Sequence, residues 1–448
     1  VTDLGGTSNN PTQVLNAILK GSYQIPGIEG LSADGFFSVD KSNVFVKTFN
    51  KPYLLYEYQA STDTYTSGIY GGNNNKATLK ESQKRESLLT SNIKLNFERK
   101  FGVHNIDAFV GYEQSKNNLE FFDADRFNYL SNQLPELSQG GTAATDFLNS
   151  GYSSNYTRKS IISRLAYAYD DKYLFEGQLR RDGSSIFAPG KQWGTFPSVS
   201  AGWRINKEKW FGDNVKFFDE LKLRASYGSL GNDNVNAFQY YDNYILVGNG
   251  FVAQAPGGAA TIQPGVGLSK LANPNITWEV SKKLDIGINA TFLKNFTFEA
   301  IYFKQKRSDI LATRNASLPG SSGIVNPYND GSSNYNPLVP SENIGKVNSE
   351  GFEGTLGYTH RGNEFNWGVS GNMTYAKSEV IFIDEASGTL DYQKKTGRPL
   401  NSYLLYNAIG IFRTQADLDN KPHVSGAKIS VLIYEDYNRD GVLNADDM

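Results

Sequence analysis

Segment 436–447 carries oxygen-bearing residues at the spacing that calcium loops use. Ca²⁺ binds roughly six to eight oxygen ligands, and a calcium loop supplies them from alternate positions around a glycine at position 6. Here that glycine is Gly441, and the ligand positions hold Asp436, Asn438, Asp440, Val442, Asn444 and Asp447. We therefore predict a structural Ca²⁺ bound by these six residues, with Val442 contributing its backbone carbonyl.

The same run also has the features of an ordinary polar loop. Position 12 is Asp447, whereas calcium loops have the longer Glu there, and no flanking helices are predicted. Asn, Asp and Gly are common turn residues because Asn and Asp side chains bond to nearby backbone and Gly adopts positive φ angles. Both interpretations stay open, and either one places the segment in a surface loop near a partner interface.

The sequence contains few residues at spacings typical of catalytic or cofactor-binding sites. His104, His360 and His423 are far apart in the sequence, and the chain has no cysteine. Neither a Gly-x-Ser-x-Gly elbow nor a phosphate-binding glycine loop occurs. Adjacent carboxylates such as Asp219 with Glu220 are expected to be solvated charges rather than a hydrolase pair. We predict that the protein is not an enzyme and that it requires no cofactor.

Two further sets of residues have a functional and a structural interpretation. Sequons begin at Asn155, Asn275, Asn289, Asn295, Asn315 and Asn372. Asn289 and Asn372 fall inside predicted strands on the polar row, which argues against glycosylation. Aromatic residues in predicted loops that could stack on a sugar or a peptide, or simply order the loop, are Phe238, Tyr240, Tyr241, Tyr244 and Phe251.

The composition favours β structure and argues against nucleic-acid binding. The 448 residues include 27 Tyr, 27 Phe and 44 Gly, and the net charge is -2. Aromatic residues are enriched in strands, and no basic field is present to hold a polyanion. The mean hydropathy of -0.46 and the lack of a long apolar run exclude a transmembrane helix but not spanning strands, whose apolar residues alternate with polar ones.

The strands that must position these residues are predicted by a period-two pattern. Ile106, Ala108, Val110 and Tyr112 alternate with mostly polar neighbours, and comparable alternation recurs along the chain in roughly thirteen segments. Many of these segments have about ten residues, which is typical of membrane-spanning strands. One row of each strand is apolar and the other strongly polar.

The connections alternate between tight turns and long polar excursions. Short turns are predicted at 100–103, 170–172, 292–295 and 361–364. Long excursions are predicted at 61–83, 116–156, 231–275, 307–348 and 384–400. Outer-membrane barrels have short periplasmic turns and long extracellular loops, so we predict an antiparallel transmembrane β-barrel rather than a soluble sandwich. Aromatic residues expected at the membrane interfaces, or alternatively in a core, are Tyr173, Trp203, Trp210 and Trp367.

Several segments resemble the barrel of SusC/RagA-type transporters, which are TonB-dependent receptors of Bacteroidetes. They occur in the order of that family and cover more than half of the chain. They are 180–185 (RRDGSS), 193–204 (WGTFPSVSAGWR), 221–228 (LKLRASYG) with 231–232 (GN), 276–279 (ITWE), 343–347 (NIGKV) with 351–353 (GFE), and 410–412 (GIF).

The resemblance implies energised import, through the bacterial outer membrane, of an oligosaccharide or a peptide. It also implies a SusD-type lipoprotein over the extracellular loops, outer-membrane lipid around the wall, and TonB acting on a plug. The family barrel has 22 strands, so we expect residues 1–448 to be an incomplete barrel, with the N-terminal plug ahead of Val1 and the last strands after Met448. Val1 begins no signal peptide.

Two alternatives remain open on the sequence. A passive porin or a surface adhesin would share the barrel but lack the plug. A secreted soluble calcium-binding β protein would instead bury its apolar rows between sheets. Nucleic-acid binding is not expected in any of the three cases.

Overall fold

The computed structural model describes residues 4–212, 214–254, 258–314, 316–318, 338–386 and 388–448, with the backbone alone for 247–249. Antiparallel strands form nearly all of the regular structure in these residues. Contacts divide the chain into two units. Unit 1 comprises Val1–Glu208 and Asp233–Phe238, and unit 2 comprises Lys209–Asn232 and Gln239–Met448. No helix in the described ranges has the length and apolar character needed to cross a membrane.

Unit 1 is an antiparallel sheet in the order β1-β3-β6-β7-β8-β9-β10, and β2 also pairs with β3. A separate hairpin, β4–β5, lies within the connection from β3 to β6. The strands are β1 (Gly6–Asn9), β2 (Thr12–Gln24), β3 (Leu31–Asn50), β4 (Tyr53–Gln59), β5 (Thr64–Tyr70), β6 (Thr78–Phe101), β7 (His104–Arg126), β8 (Phe147–Tyr169), β9 (Tyr173–Ser184) and β10 (Trp193–Arg204).

The main strands of unit 2 are antiparallel neighbours in the order β11-β14-β15-β16-β17, with the hairpin β12–β13 and the two-stranded sheet β18–β19 outside this series. The strands are β11 (Phe218–Asn232), β12 (Asn243–Gln254), β13 (Ala260–Lys270), β14 (Glu279–Phe292), β15 (Phe296–Thr313), β16 (Ser341–Arg361), β17 (Asn366–Phe382), β18 (Ala408–Ile411) and β19 (Leu432–Tyr434). Two short helices are α1 (Lys209–Gly212) and α2 (Gln415–Asn420).

The predicted tight turns are confirmed. β8 ends at Tyr169 and β9 begins at Tyr173, so three residues connect them. Asp170 and Asp171 both have φ near 50°, and consecutive positive φ angles match the twist of the flanking strands. Leu293 and Lys294, with φ of 52° and 63°, connect β14 to β15 in the same way.

The central parts of the wall strands have one apolar and one polar face, as the alternation predicts. In unit 1, Tyr112 of β7 is opposite Ile93 of β6 and Ile161 of β8, and all three side chains are exposed. The alternate residues of each strand lie on the polar face. Glu113 of β7, for example, accepts a hydrogen bond from Asn92 of β6 at 3.1 Å. Exposed apolar rows beside paired polar rows suit a sheet whose apolar face contacts lipid.

The apolar face of unit 2 has defined limits, and we call it the belt. On β17 it extends from Trp367 to Tyr375, about nine residues, which at the usual rise and tilt corresponds to the roughly 25 Å apolar band of outer-membrane barrels. Tyr358 packs on Trp367 at the short-turn end. At the long-loop end the same face becomes charged, where Lys304 contacts Glu350 at 2.9 Å.

Several predicted loops are shorter than the sequence suggested. Segment 116–156 was expected to be an excursion, yet β7 continues to Arg126 and β8 begins at Phe147. The reason is that polar and apolar residues both occur on each face here, for example the adjacent Phe121 and Phe122, so the period-two signal is lost while backbone pairing continues. Leu119 and Ser154, for example, remain paired.

Two other excursions contain strands that were not predicted. β5 lies inside 61–83, and β12 and β13 lie inside 231–275. In segment 307–348, β15 continues to Thr313 and β16 begins at Ser341, while residues 319–337 are outside the described ranges. The described part of 384–400 has no strand, as predicted.

The long-loop end of unit 1 has a small core of its own. Phe49, Leu79 and Tyr129 are almost completely buried with Ala77. The rings of Phe49 and Tyr129 meet edge to face at 5.4 Å. The Tyr129 hydroxyl donates to the Glu136 carbonyl at 2.9 Å, and burial raises the pKa of Tyr129 to about 12. This core fixes segment 127–146 against β3 and β6.

Candidate functional site

The polar face of unit 1 is organised by ion pairs that join neighbouring strands. Arg164 of β8 donates to Asp107 of β7 at 2.6 Å and to Glu176 of β9 at 2.7 Å. The register places the three side chains on one face, since Asp107 and Glu176 are both opposite Ala166. A guanidinium has a fork of donors that can serve two carboxylates at once, so Arg164 ties three strands together while leaving the face hydrophilic.

A concavity of about 600 Å³ lies on the same polar face. Asp34 accepts a hydrogen bond from Asn96 at 2.6 Å and lies 3.7 Å from the Lys94 ammonium. That ammonium also sits 5.3 Å from the centre of the Phe109 ring. Phe109 breaks the alternation of β7, because it is an apolar residue in a polar row. Its ring makes a cation–π contact with Lys94.

Unit 2 repeats this arrangement with its own residues. Arg224 of β11 donates to Asn289 of β14 at 2.9 Å and to Glu299 of β15 at 2.7 Å. Asn289 also donates to Glu299 at 3.1 Å. The sequon asparagine Asn289 is thus committed to the polar face, as the sequence predicted. Asn372 lies opposite Thr355 on the same face, whereas Asn315 is outside the described residues.

The polar faces of the described strands carry acidic and basic side chains that are paired with one another. Within the described ranges, no cluster of three or more His, Asp or Glu side chains is arranged to hold a metal ion. His104 is bonded to the Tyr167 hydroxyl at 2.8 Å, and His423 is 2.9 Å from the Lys421 carbonyl. Surfaces of this kind suit passage of a polar solute, because paired charges keep the wall hydrated without binding one solute irreversibly.

The acidic segment 436–447 folds as a tight loop whose side-chain oxygens turn inward to its own backbone. Asp436 accepts from the amides of Asp440 at 3.2 Å and Gly441 at 2.9 Å. Asn438 accepts from the Asp440 amide at 3.0 Å, and Asp440 accepts from the Val442 amide at 2.8 Å. Gly441 has φ of 83°, so the sharp turn predicted at position 6 is present.

The second half of the loop closes onto the first through Asp447. This carboxylate is buried and accepts from the amides of Tyr437 and Asn444, both at 2.9 Å. Asn444 accepts in turn from the Asp446 amide at 2.6 Å. A carboxylate has about four lone-pair sites, so these bonds leave oxygen sites unused. Calcium binding by Asp436, Asn438, Asp440, Val442, Asn444 and Asp447 stays a prediction, since the described side chains form no ready-made cluster of three or more acidic or histidine ligands.

The segment 384–400 packs against this loop. The Tyr392 hydroxyl donates to the Asp446 carbonyl, and Gln393 donates to the Ala445 carbonyl at 2.9 Å. The Tyr392 and Tyr437 rings are 4.5 Å apart. Burial, followed by the negative charges of Asp446 and its neighbours, raises the pKa of Tyr392. Two segments that the sequence treated as separate loops therefore form one contact.

The aromatic residues that were candidates for ligand binding are divided between the two units. Tyr240 and Tyr241 have ring centres 4.4 Å apart. Tyr244 and Phe251 lie on β12 and are about two-thirds exposed, at 66% and 60%. Phe238 belongs to unit 1, whereas the other four belong to unit 2. Their role in ligand binding stays a prediction.

Three of the proposed interface aromatics, Tyr173, Trp203 and Trp367, lie near strand ends, whereas Trp210 lies on α1. Tyr173 begins β9 and is opposite Trp203 of β10. Both side chains donate to Glu208, at 2.5 Å and 3.2 Å. Trp367, on the second residue of β17, is 45% exposed, and Trp210 is 60% exposed. Exposed aromatic residues with a bonded polar tip suit a membrane interface better than a core.

Known proteins match most of this chain. A family model described as TonB dependent receptor-like, beta-barrel matches residues 5–426. A TonB-dependent receptor of Formosa agariphila is 30% identical over 343 residues, covering 72% of this chain and 31% of that protein. TonB-dependent receptor SusC of Bacteroides thetaiotaomicron is 25% identical over 402 residues, covering 87% and 37%. The chain thus spans about a third of the length of these relatives.

A solved structure shows the same fold. The RagAB peptide importer in its closed-closed state aligns with a TM-score of 0.70 at 19% sequence identity, and the alignment covers 98% of this chain and 44% of that chain. Its open-open state aligns equally well, with a TM-score of 0.70. The strand arrangement described above is therefore that of a known outer-membrane β-barrel wall.

Proposed function

Since this chain belongs to the family of TonB-dependent receptor-like β-barrels, we propose that it forms barrel wall in an importer of a large nutrient, either an oligosaccharide or a peptide. Its location is the bacterial outer membrane. The observation that carries the proposal is the division of the wall strands, such as β7 and β8, into an apolar and a polar face. Lipid contacts the first face, and the second lines the route of the solute.

The polar face supports a large polar solute over a small apolar one. Its ion pairs, such as Arg164 with Asp107 and Arg224 with Glu299, are spread over several strands. A hydrated, distributed surface favours ligands with many weak polar contacts, as sugars and peptides make. The similarity in fold to RagAB, a peptide importer, supports the peptide alternative, and the similarity to SusC supports the same class of importer.

The proposal includes two protein partners. A SusD-type lipoprotein covers the long-loop rim and delivers the nutrient, and TonB supplies energy through a plug that precedes the barrel in the chain. Transport by this chain requires no cofactor. We also propose that the acidic loop binds one Ca²⁺ in a structural role, since its amide-bonded carboxylates retain unused lone pairs and are held in a tight turn.

Uptake assays test the proposed function. A Bacteroidetes strain lacking the gene is given a fluorescent oligosaccharide or a fluorescent peptide, with and without a protonophore that collapses the proton gradient. We expect uptake to need both the gene and the gradient, because TonB draws on inner-membrane energy. Uptake that persists unchanged with the protonophore would instead indicate a passive porin, and surface binding without uptake would indicate an adhesin.

A further inference from the structure

The hairpin β12–β13, here called the apolar arm, exposes an unusual amount of apolar surface. No charged residue occurs between Asp242 and Lys270. Leu246 is 85% exposed, and Val266, opposite it in the register, is 68% exposed. Val252 and Ile262 form the next such pair on the same face and are also exposed. Contiguous exposed apolar surface of this kind usually marks an interaction site.

The arm is held in place at its base. Lys270 donates to the Ser341 hydroxyl at 2.9 Å, and Asn273 donates to the Ser341 carbonyl at 2.7 Å. Asp242 accepts from the Ala272 amide at 2.8 Å. At mid-length, a Cβ on Gly250 would come within 2.3 Å of the Gly265 amide nitrogen, so the two strands approach closely. A preorganised arm loses less entropy on binding than a flexible loop does.

Lipid is a poor candidate to cover the arm. On the same unit, β11 contributes Tyr227 to the belt and continues to Asn232 before the arm begins. Lys282 and Lys306 are opposite each other in the strand register and lie on the belt face beyond its apolar rows. The arm starts beyond this charged boundary, on the aqueous long-loop side. A protein surface is therefore the better candidate to cover it.

The size of the arm indicates how that protein must hold it. Strands of 12 and 11 residues give a ribbon roughly 36 Å long and about 10 Å wide, or about 360 Å² on each face. A standard interface buries about 800 Å² on each partner, so one face supplies only about half. The opposite face is apolar too, since Ile245 and Phe251 are 51% and 60% exposed. Covering both faces reaches the usual area.

We propose that the apolar arm inserts into an uncharged, apolar cleft of the SusD-type lipoprotein and is a principal contact holding that partner at the rim. This inference rests on the proposed function, which supplies the partner. The lack of charge along the arm requires an uncharged cleft, because a charged cleft would lose hydration without gaining a counter-charge. Both apolar faces of the arm are then removed from water in one complex.

Paired substitutions test the arm directly. In the detergent-purified transporter, L246N with V266N replaces two opposing apolar side chains on the arm. L54N with I69N makes the matched change on β4–β5, another rim hairpin, where Leu54 and Ile69 are also opposite and exposed. The affinity of the purified lipoprotein is measured for each by surface plasmon resonance. Heat-modifiable gel migration verifies that every variant retains its folded barrel.

We expect the arm pair to raise the Kd at least about tenfold, as buried apolar anchors do, and the control pair to leave it nearly unchanged. Equal effects of the two pairs, or no effect of either, overturn the inference while leaving the proposed partner intact. A wild-type transporter that does not bind the lipoprotein overturns the partner itself. A photo-crosslinker at position 246 should label the lipoprotein, and labelling of a second copy or of lipid overturns the assigned occupant.

Discussion

Arg158 of β8 and Asp233, the residue directly after β11, form a bidentate ion pair. The Arg158 Nε and Nη2 atoms are each 2.8 Å from one carboxylate oxygen of Asp233. The Asp233 side chain is only 8% exposed, and the Tyr156 ring lies 5.0 Å from the guanidinium. This pair fixes the beginning of the excursion that leads to the apolar arm. Neither residue was singled out in the sequence, because two charged residues 75 positions apart give no local pattern.

Replacing Asp233 with Asn should loosen the root of that excursion. The substitution keeps the shape but removes the charge, so one strong hydrogen bond is lost and the guanidinium is left without its counter-charge. With Arg158 partly exposed, we expect a local cost of about 1–3 kcal/mol. Hydrogen exchange at residues 233–238 should accelerate accordingly. The exposed pair of Lys84 and Glu86, at 3.5 Å, gives the control K84Q, which should change exchange there very little.

Charge placed on the two faces of unit 1 should have opposite consequences. Leu165 lies on the apolar face of β8 and is 55% exposed, whereas Leu174 of β9 lies on the polar face, opposite Ala168. L165R should destabilise the membrane-embedded barrel by about 2–4 kcal/mol. L174R should be much better tolerated. Urea unfolding in lipid vesicles measures both, and equal destabilisation would contradict the assignment of the faces.

The acidic loop should bind Ca²⁺ with a Kd on the order of 10⁻⁴ M, typical of extracellular modules. The variant D436A removes the ligand at position 1 and should abolish binding in isothermal titration calorimetry. D419A, on the exposed helix α2, removes a carboxylate from the same unit and should leave binding unchanged. Calcium binding that survives D436A would show that another group holds the ion.

Calcium should also lower the pKa of Tyr392. Burial and the charges of Asp446, Asp447 and Asp440 raise this pKa, and a dication held among those carboxylates offsets their charge. The difference in tyrosinate absorbance between wild type and Y392F, followed through an alkaline titration, isolates this group. We expect its midpoint to move to lower pH when Ca²⁺ is added. An unchanged midpoint would mean that the ion, if bound, is remote from Tyr392.

Alkaline pH should open the small core around Tyr129. Burial raises the pKa of Tyr129 to about 12 in the folded protein, against about 10 in an unfolded chain. The stabilisation is therefore fully present below pH 10 and is lost as the pH rises through 12. Hydrogen exchange at 127–146 should accelerate over this window in wild type. In Y129F, which cannot ionise, the rise beyond the intrinsic pH dependence should be absent.

The sequence predicted the wall of this protein well, because one face of each strand contacts an apolar environment and the other a polar one. That requirement produces the alternation of Ile106, Ala108, Val110 and Tyr112, and the structure places all four on one face of β7. The tight turns were equally predictable. Asp170 and Asp171 belong to the few residue types that adopt positive φ angles readily.

Prediction failed where the environment is the same on both faces. Beyond their apolar rows, β7 and β8 have polar and apolar residues on both faces, such as the adjacent Phe121 and Phe122, so the alternation is lost and the strands looked like loops. The strands of the apolar arm were also missed. Apolar residues occur on both of its faces, as the exposed neighbours Ile245 and Leu246 show, so β12 has no period-two pattern. The arm's uncharged run from Asn243 to Ser269 was visible in the sequence and was the available signal. The Gly-rich composition of that run instead suggested a loop.

Alternating accessibility along β8 tests the central claim most directly. The chain has no cysteine, so single cysteines introduced into it report on defined positions. In vesicles, cysteines at Ile161, Ser163 and Leu165 should carry probes that brominated lipid quenches, while those at Ile162, Ala166 and Ala168 should react with a water-soluble maleimide. Strict alternation with a period of two is the predicted result. Equal reactivity of both rows with the water-soluble reagent would contradict a lipid-facing barrel wall.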